Sequence, residues 1–274
     1  MKLLIKATIA IALIAGAIIS IYPLLFMLST ALQPATFLFE YPPKLFPSSP
    51  TFKNFIQAWT SQNFSVYLGN SVLVTMMSFV ILFCFSSTMA FAYSRFNFRG
   101  KKLTFSILMA ALVIPALTLI IPQFILINKL GLFDSYIGLV VVYAASGIPF
   151  TTFLLKGFFD TITRDIDESV YMDGGSSMRL FISIILPLSK PAFVPATIFN
   201  ILAFWEEFPW ALTIINDPLK RTLPIALATF QGQYTTQWGI VFAGSLIAVL
   251  PLILLFIFLQ RYFIAGITAG AVKG

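Results

Sequence analysis

The sequence predicts an all-α integral membrane protein with six transmembrane helices. Hydrophobic residues make up 59% of its 274 residues, charged residues make up only 10%, and 30 residues are phenylalanine. This usage is far from that of soluble domains. A helix needs roughly 20 apolar residues to cross the hydrocarbon core of a bilayer. Six stretches are long enough, at about 7–32, 68–93, 103–127, 136–155, 191–214 and 239–263.

The first stretch is expected to stay in the protein as a helix and not to be removed as a signal peptide. It is long, no cleavage site of small residues follows it, and Tyr22-Pro23-Leu24 continue the apolar run. Six crossings place both termini on one side. The opposite side carries few of the 17 Lys and Arg residues, namely Lys44, Lys53, Lys129, Lys220 and Arg221. The positive-inside rule therefore predicts that both termini and residues 156–190 are cytoplasmic.

The segments between the stretches differ in kind. Residues 33–66 are rich in proline and aromatic residues, which predicts an irregular external segment with a short surface helix. Residues 94–102 form a short basic segment, and we expect it to anchor the chain at lipid headgroups; the alternative is a specific site for a partner. Pro115, Pro122 and Pro149 interrupt helix hydrogen bonds inside the apolar stretches. Their kinks either border a cavity or are ordinary packing kinks.

Composition also excludes several kinds of site. The chain has no histidine and a single cysteine, Cys84, so neither a disulfide framework nor the usual metal ligands are available. We assign no metal ligand and no catalytic residue, because no nucleophile stands with a base in the pattern that hydrolases need. The basic residues follow the ends of the apolar stretches, so no nucleic-acid surface is expected.

A polar segment between the fourth and fifth stretches predicts a helical hairpin, which on composition alone either docks on a partner protein or lies on the membrane surface. Thr163 can cap a short helix that carries acidic residues in its first turn, and Gly174-Gly175 can make the left-handed turn that ends it. Ser176 or Ser177 can cap the second helix. The first helix has Asp165, Asp167 and Glu168 near its start and Ile166 and Val170 on one face; the second has Met178, Phe181, Ile182 and Ile185 at helical spacing.

The spacing from Glu168 through Gly174 to Ile184, Leu186 and Pro187 resembles the cytoplasmic loop of binding-protein-dependent ABC importer permeases. The chain is similar, over nearly its whole length, to the permeases of carbohydrate-uptake ABC importers, the group with the second membrane subunit of the maltose system. Other marks of the group are Leu130-Gly131-Leu132, Trp205 to Phe208, Pro251 and the ending Gly266 to Gly274. Ser169 and Val170 depart from the small residues usual after the glutamate.

The resemblance implies a single permease domain over residues 1–274, with the fold of type I ABC importers. Its implied partners are a second homologous permease, two ABC ATPase subunits and an extracytoplasmic binding protein that delivers a sugar. The chain itself is expected to bind no cofactor and not to be an enzyme, because it lacks the GxxxxGK[ST] phosphate loop. ATP and Mg would be used by the partner ATPase, coupled through residues 164–187.

The resemblance also implies roles for particular residues. Three groups are expected to touch protein partners: the ATPase-docking residues Glu168, Asp173, Gly174, Gly175, Leu186 and Pro187; the ATPase-contacting tail residues Ala269, Gly270 and Lys273; and the binding-protein-contacting loop residues Gln231, Gln233, Tyr234 and Gln237.

The fifth stretch carries two adjacent acids within an apolar run. Read as one continuous helix, it places Glu206 and Glu207 roughly 22 Å from Pro191. A carboxylate facing lipid is costly, so at least one should meet water, a cation or a partner. The residues Phe204, Trp205, Glu206 and Glu207 are therefore either a candidate substrate path for a sugar or an interfacial charge site.

Three other functions compete with this interpretation: two are transport functions and one is enzymatic. A permease of the same class could carry a non-sugar solute such as a glycerophosphate. A secondary transporter would work without an ATPase and would leave the polar hairpin without a role. An intramembrane enzyme would need the nucleophile and base that this sequence lacks.

Overall fold

The computed structural model describes residues 2–34, 47, 49–60, 63–230 and 237–271, with side chains only from Ile5 to Arg261 within these ranges. Helices are the only regular secondary structure in the described part of the chain. Thirteen α-helices are α1 Lys2–Leu32, α2 Lys53–Thr60, α3 Phe64–Arg95, α4 Lys101–Ala110, α5 Ile120–Lys129, α6 Tyr136–Phe159, α7 Arg164–Met172, α8 Ser177–Arg179, α9 Leu186–Leu188, α10 Lys190–Trp205, α11 Pro209–Ile214, α12 Leu223–Thr229 and α13 Trp238–Ala271. Short 3-10 helices cover Ala116–Leu119 and Pro218–Lys220, and a π-helix covers Leu180–Ile185.

Four helices in the described ranges are long and apolar enough to cross a membrane: Ile5–Leu32, Phe64–Arg95, Tyr136–Phe159 and Trp238–Arg261. The helical character of the predicted stretches 7–32, 68–93, 136–155 and 239–263 is thus confirmed. Ser177–Leu188 and Lys190–Trp205 meet at a bend of 75° and make a fifth candidate when they are taken as one broken span.

The third predicted stretch, 103–127, is not one helix. α4 ends at Ala110, Pro115 has an extended backbone, and the 3-10 helix and α5 follow. Proline disfavours the helical conformation of the residue before it and provides no N–H. The helix is therefore interrupted just before Pro115. Pro122 lies in the first turn of α5, where a missing N–H costs little. Pro149 lies within α6 without ending it.

The chain divides into two compact units. The first contains residues 1–68 and 225–251. In it Asn54 is buried and donates from Nδ2 to the carbonyl oxygens of Ala31 and Gln33, at 2.9 and 2.7 Å. These carbonyls lie at the end of α1, so the side chain satisfies groups that a helix terminus leaves unpaired. A small core of Ala31, Ala58, Ile240 and Ala243 forms around this contact.

The second unit contains residues 69–224 and 252–274. The start of α3 is held there by polar contacts. Asn70 donates to the carbonyl oxygens of Leu219 and Arg221, both at 2.9 Å, and the Ser71 hydroxyl accepts the Leu223 N–H at 2.8 Å. The segment 216–223 is therefore fixed to one end of α3.

Asp134 holds the same segment from another direction. Its backbone is left-handed, with φ 55°, and its Oδ1 accepts the N–H groups of Asn216 and Asp217 at 3.0 and 2.9 Å. Lys220 forms an ion pair with its Oδ2 at 3.1 Å. The N–H of Asp217 is the main cause that keeps the pKa of Asp134 below its ordinary value.

Candidate functional site

The predicted helical hairpin is present in the second unit and covers residues 164–188, which we call the hairpin. Its first helix, α7, follows Thr163, whose backbone is extended. Thr163 occupies the capping position, but its side chain makes no capping hydrogen bond, so that part of the prediction is wrong. Asp165 and Asp167 lie in the first turn as predicted.

Two glycines make the turn of the hairpin for different reasons. Gly174 has φ +72°, a conformation that a side chain disfavours. Gly175 needs space: a Cβ there would lie 2.6 Å from Cγ1 and 2.7 Å from the carbonyl oxygen of Val170. The N–H groups of the two glycines donate to Tyr171 and Val170 at 3.0 and 2.8 Å. The predicted left-handed turn is confirmed.

The second half of the hairpin is wound more widely than an ordinary α-helix. The Ser176 hydroxyl accepts the Arg179 N–H at 3.3 Å, which confirms it as the cap. The π-turns at 180–185 then shift the buried face. Leu180, Phe181 and Ile185 are buried, whereas Met178 and Ile182 are 63% and 55% exposed. The predicted single apolar face is thus only partly correct.

The buried face of the hairpin packs on the ends of α3, α6 and α10. Phe181 and Phe91 of α3 have ring centroids 4.8 Å apart. They share a buried cluster with Leu155 and Phe159 of α6 and Ala192 of α10. Closely packed apolar contacts of this kind fix the hairpin to the helices that carry it.

A buried ion pair joins the hairpin to α3. Arg95 Nε lies 2.9 Å from Asp167 Oδ2, and the two side chains are 3% and 8% exposed. Arg95 also donates to the carbonyl oxygens of Phe159 and Ile162, both at 3.1 Å. Arg95 was expected to sit at lipid headgroups and Asp167 to complement the helix dipole; for Arg95 that expectation is wrong, because tertiary packing buries it.

Further polar contacts close the same junction. Arg164 donates to the carbonyl oxygens of Ser94 and Arg95, at 2.7 and 3.1 Å. Asp160 accepts the Ser94 hydroxyl at 2.7 Å and pairs with Lys156 at 2.6 Å. Burial raises the pKa of Asp160, but the hydrogen bonds from Lys156 and Ser94 outweigh it, so this pKa lies below its ordinary value. The junction of α3, α6 and α7 is therefore charged and internally paired.

The outer face of the hairpin is exposed. Glu168, Asp173 and Gly174 are exposed near the turn, beside Tyr171 and Met172, which are 46% and 88% exposed. This combination of a carboxylate with large exposed apolar side chains is typical of a surface that meets a partner. Tyr171 and Met172 were not predicted from the sequence as part of this surface.

The other predicted docking residues differ in exposure. Gly175 is half-buried in the turn, and Leu186 is half-buried and packs against the apolar cluster. Pro187 is exposed close to the 75° bend that precedes α10. The structure thus groups Glu168, Asp173, Gly174 and Gly175 at the turn, and it places Leu186 and Pro187 at the C-terminal end of the hairpin.

The fifth predicted stretch, 191–214, is broken at its two acids. α10 ends at Trp205, and α11 begins at Pro209. Oε1 of Glu207 accepts the Trp210 N–H at 2.7 Å, and its Oε2 accepts the Ala211 N–H at 3.0 Å and the Tyr143 hydroxyl. Glu207 therefore satisfies the free N–H groups at the start of α11. The expectation of a continuous helix here is wrong, since the carboxylate stabilises a new helix start.

The four candidate substrate-path residues have different surroundings. Phe204 is buried and its ring stacks on Tyr143 with centroids 5.7 Å apart, and Trp205 is also buried. Glu207 is held by the contacts just described, whereas Glu206 is exposed. Of these four side chains, Glu206 is the one open to a ligand or a partner in this structure.

The remaining predicted residues lie at or beyond the edges of the described chain. Gln231, Gln233 and Tyr234 fall outside the described residues, as does Lys273. Gln237 precedes α13, and its carbonyl oxygen accepts the Ile240 N–H at 3.0 Å. Ala269 and Gly270 lie in the last turn of α13, which continues to Ala271, past the predicted span end at 263.

Comparison with known proteins identifies the family. The model of the family described as "Binding-protein-dependent transport system inner membrane component" matches residues 83–269. The probable ABC transporter permease protein YurM of Bacillus subtilis is 38% identical over 92% of this chain and 84% of its own length. The trehalose/maltose transport system permease protein MalG of Thermococcus litoralis is 32% identical over 94% of this chain and 93% of its own.

A solved structure confirms the fold. One chain of a bacterial ABC transporter involved in the import of the acidic polysaccharide alginate superposes with a TM-score of 0.83, covering 95% of this chain and 96% of that chain at 21% identity. The protein thus has the fold of an ABC importer permease, and its family and relatives show that it is a multi-pass permease subunit of an ABC transporter. The chain belongs to the family of binding-protein-dependent transport system inner membrane components.

Proposed function

We propose that this chain is the permease subunit of an ATP-driven importer that takes up a sugar or oligosaccharide. Membership of the binding-protein-dependent family supports import from a binding protein. The similarity over 94% of the chain to a trehalose/maltose permease supports a sugar as the substrate. The binding protein would be extracytoplasmic, and a second homologous permease would complete the path.

The observation that carries the proposal is the hairpin, which is rigidly held on one side and open on the other. Its inner side is fixed by the ion pair of Arg95 with Asp167 and by the apolar cluster. Its outer side presents Glu168 beside Tyr171 and Met172. We propose that this side docks on an ABC ATPase, with Glu168 facing a basic group and the apolar side chains filling a groove.

The membrane arrangement proposed with this function has six crossings and cytoplasmic termini. Four continuous helices and the bent pair support up to five crossings, and in this proposal the broken stretch from α4 to α5 would make the sixth. The excess of Lys and Arg near the termini and the hairpin supports a cytoplasmic location for these parts. The hairpin would then lie on the side where ATP is available to partner ATPase subunits, which would bind ATP and Mg.

Three smaller sites belong to the same proposal. Glu206 would accept hydrogen bonds from the hydroxyl groups of a sugar, because its side chain is exposed in the gap between α10 and α11. Residues 231–237 would contact the binding protein. Residues 269–273, at the end of α13, would contact the ATPase pair.

Reconstitution in proteoliposomes tests the function. The chain, its second permease and the ATPase are incorporated together, the binding protein is added outside with radiolabelled maltose or trehalose, and ATP is enclosed. We expect uptake that requires both ATP and the binding protein. Uptake that follows an ion gradient without the ATPase would instead indicate a secondary transporter, and uptake of glycerophosphate but not sugar would indicate the other solute class.

A further inference from the structure

The buried ion pair between Arg95 and Asp167 lies where three elements meet. Arg95 is the last residue of α3, its guanidinium donates to carbonyl oxygens at the end of α6 and in the following link, and its charge faces Asp167 of α7. α7 follows α6 through the link of residues 160–163. Arg164, at the start of α7, donates to the carbonyl oxygens of Ser94 and Arg95. The ion pair adds a buried, charged connection from α7 to α3 beside these two hydrogen bonds.

The pair also determines which side of α7 faces outward. Consecutive residues on an α-helix point about 100° apart. Because Asp167 is held inward by Arg95, its neighbour Glu168 projects away from the junction and is exposed. Rotation of α7 about its axis would bury Glu168 only by breaking this contact.

The geometry of the ion pair indicates that it fixes the position of α7 more than it stabilises the fold. Asp167 Oδ1 and Arg95 Nε are buried and make no hydrogen bond within the described residues, although Nε lies 2.9 Å from Asp167 Oδ2. Buried ion pairs with incomplete hydrogen bonding contribute little net stability, because the cost of desolvation is large. Replacement of both partners by apolar residues is often tolerated by the fold.

The N-terminal part of α3, opposite Arg95, is hydrogen-bonded to another segment of the second unit. No proline interrupts α3, and from Asn70 to Arg95 it spans roughly 38 Å at 1.5 Å per residue. Val74, Ser78 and Leu82 along α3 are fully buried. Asn70 and Ser71 hold the segment 216–223. A displacement of the hairpin that moves α3 therefore moves this segment as well.

We propose that Arg95 and Asp167 are positioning residues that fix the rotation of α7 and pass the movement of the docked hairpin to α3. This inference rests on the proposed function of the hairpin. Neither residue needs to touch the ATPase. Their loss should leave the complex assembled and able to hydrolyse ATP, but it should lower the amount of substrate moved for each ATP consumed.

The test uses the full complex in proteoliposomes with a double variant, Arg95→Met with Asp167→Leu, which leaves no lone buried charge. The matched control is Arg99→Met with Asp165→Leu, the same changes at an exposed arginine just after α3 and at an exposed acid of α7. Three quantities are measured for each complex: ATPase retained on purification, ATP hydrolysed and sugar taken up.

We expect the double variant to retain the ATPase but to lower the ratio of uptake to hydrolysis by about three- to thirtyfold, the range for changed coupling along a packed network. The control should stay within about twofold of wild type. Asp167→Glu, which keeps the charge, should recover most of the ratio.

Different outcomes separate the two proposals. If the double variant keeps the wild-type ratio while Gly174→Val in the turn lowers it, the positioning role is overturned and docking by the hairpin stands. If both variants transport as well as wild type, the proposed function of the hairpin fails. If the double variant loses the ATPase altogether, the pair belongs to the docking surface and the positioning role is again overturned.

Discussion

At the scale of single residues, the hairpin depends on residues whose backbone freedom, size or charge suits one position. Gly174 allows the left-handed turn, Gly175 leaves space for Val170, and Asp167 is turned inward so that Glu168 is turned outward. Neighbouring residues of this short segment therefore have different structural roles. Substitutions at adjacent positions should consequently give different phenotypes.

Gly174 is predicted to tolerate asparagine far better than valine. An L residue in the left-handed region costs about 1–2 kcal/mol, more when it is β-branched, whereas asparagine visits this region readily. We expect Gly174→Val to reduce the ATPase recovered with the purified chain and Gly174→Asn to retain most of it. Equal recovery for both variants would show that the turn conformation does not matter for docking.

Glu168 is predicted to contribute to docking and not to folding. Its side chain is exposed, so Glu168→Ala should leave the melting temperature of the isolated chain unchanged. If it meets a basic group on the ATPase, its loss should weaken association by about 1.5–3 kcal/mol, the usual value of a charge-assisted hydrogen bond. Titration of ATPase binding checks this, and unchanged affinity would remove Glu168 from the docking surface.

At the scale of elements, breaks in helices coincide with residues that compensate for them. Three residues separate the end of α10 from the start of α11, and Glu207 among them accepts the N–H groups of Trp210 and Ala211. The segment 216–223 has its backbone groups satisfied by Asp134, Asn70 and Ser71. Short irregular segments beside a membrane span are thereby kept in one conformation.

Removal of the Glu207 cap is predicted to destabilise the fifth span. Loss of a helix cap costs about 0.5–2 kcal/mol, so Glu207→Ala should lower the melting temperature of the purified protein in detergent. Glu206→Ala removes the neighbouring acid, which is exposed, and is the matched control. A similar melting temperature for the two variants would contradict the capping role.

Asp134 is predicted to give a pH-dependent contribution to stability. Because its pKa is lowered in the folded protein, the stabilisation is present above the unfolded value, near 3.9, and is lost as pH falls through the folded value. Asp134→Asn keeps the left-handed preference but removes the charge. We expect this variant to melt below wild type at pH 7, with the difference shrinking below about pH 4. A difference that does not change with pH would exclude the charge as the cause.

Sequence reasoning succeeded where the residue type itself carries the constraint. Glycine at 174 signals a left-handed turn, and Pro115 signals an interruption of the third stretch, although not its full break into two helices. It failed for Arg95, because burial of a terminal arginine depends on elements 64 or more residues away. The break at Glu207 did have a local signal in Pro209 at the start of α11, and this was overridden by the apolar character of the stretch.

At the scale of the whole molecule, the chain is an ABC importer permease, and its second unit contains the hairpin that we propose as the docking surface. The long apolar helices provide the membrane body, and the hairpin provides the surface proposed to receive the ATPase. The sequence contains no GxxxxGK[ST] phosphate loop, and we propose that energy enters through contact with a partner ATPase. The central claim is that this contact is the hairpin.

The measurement that tests this claim most directly is ATP-dependent sugar uptake in proteoliposomes by the Gly174→Val complex, compared with Gly157→Val. Gly157 is exposed in α6, and a Cβ there meets open space, so its variant controls for the added side chain. We expect uptake to fall at least about tenfold for Gly174→Val and to stay near wild type for Gly157→Val. Full uptake by the Gly174→Val complex would contradict it.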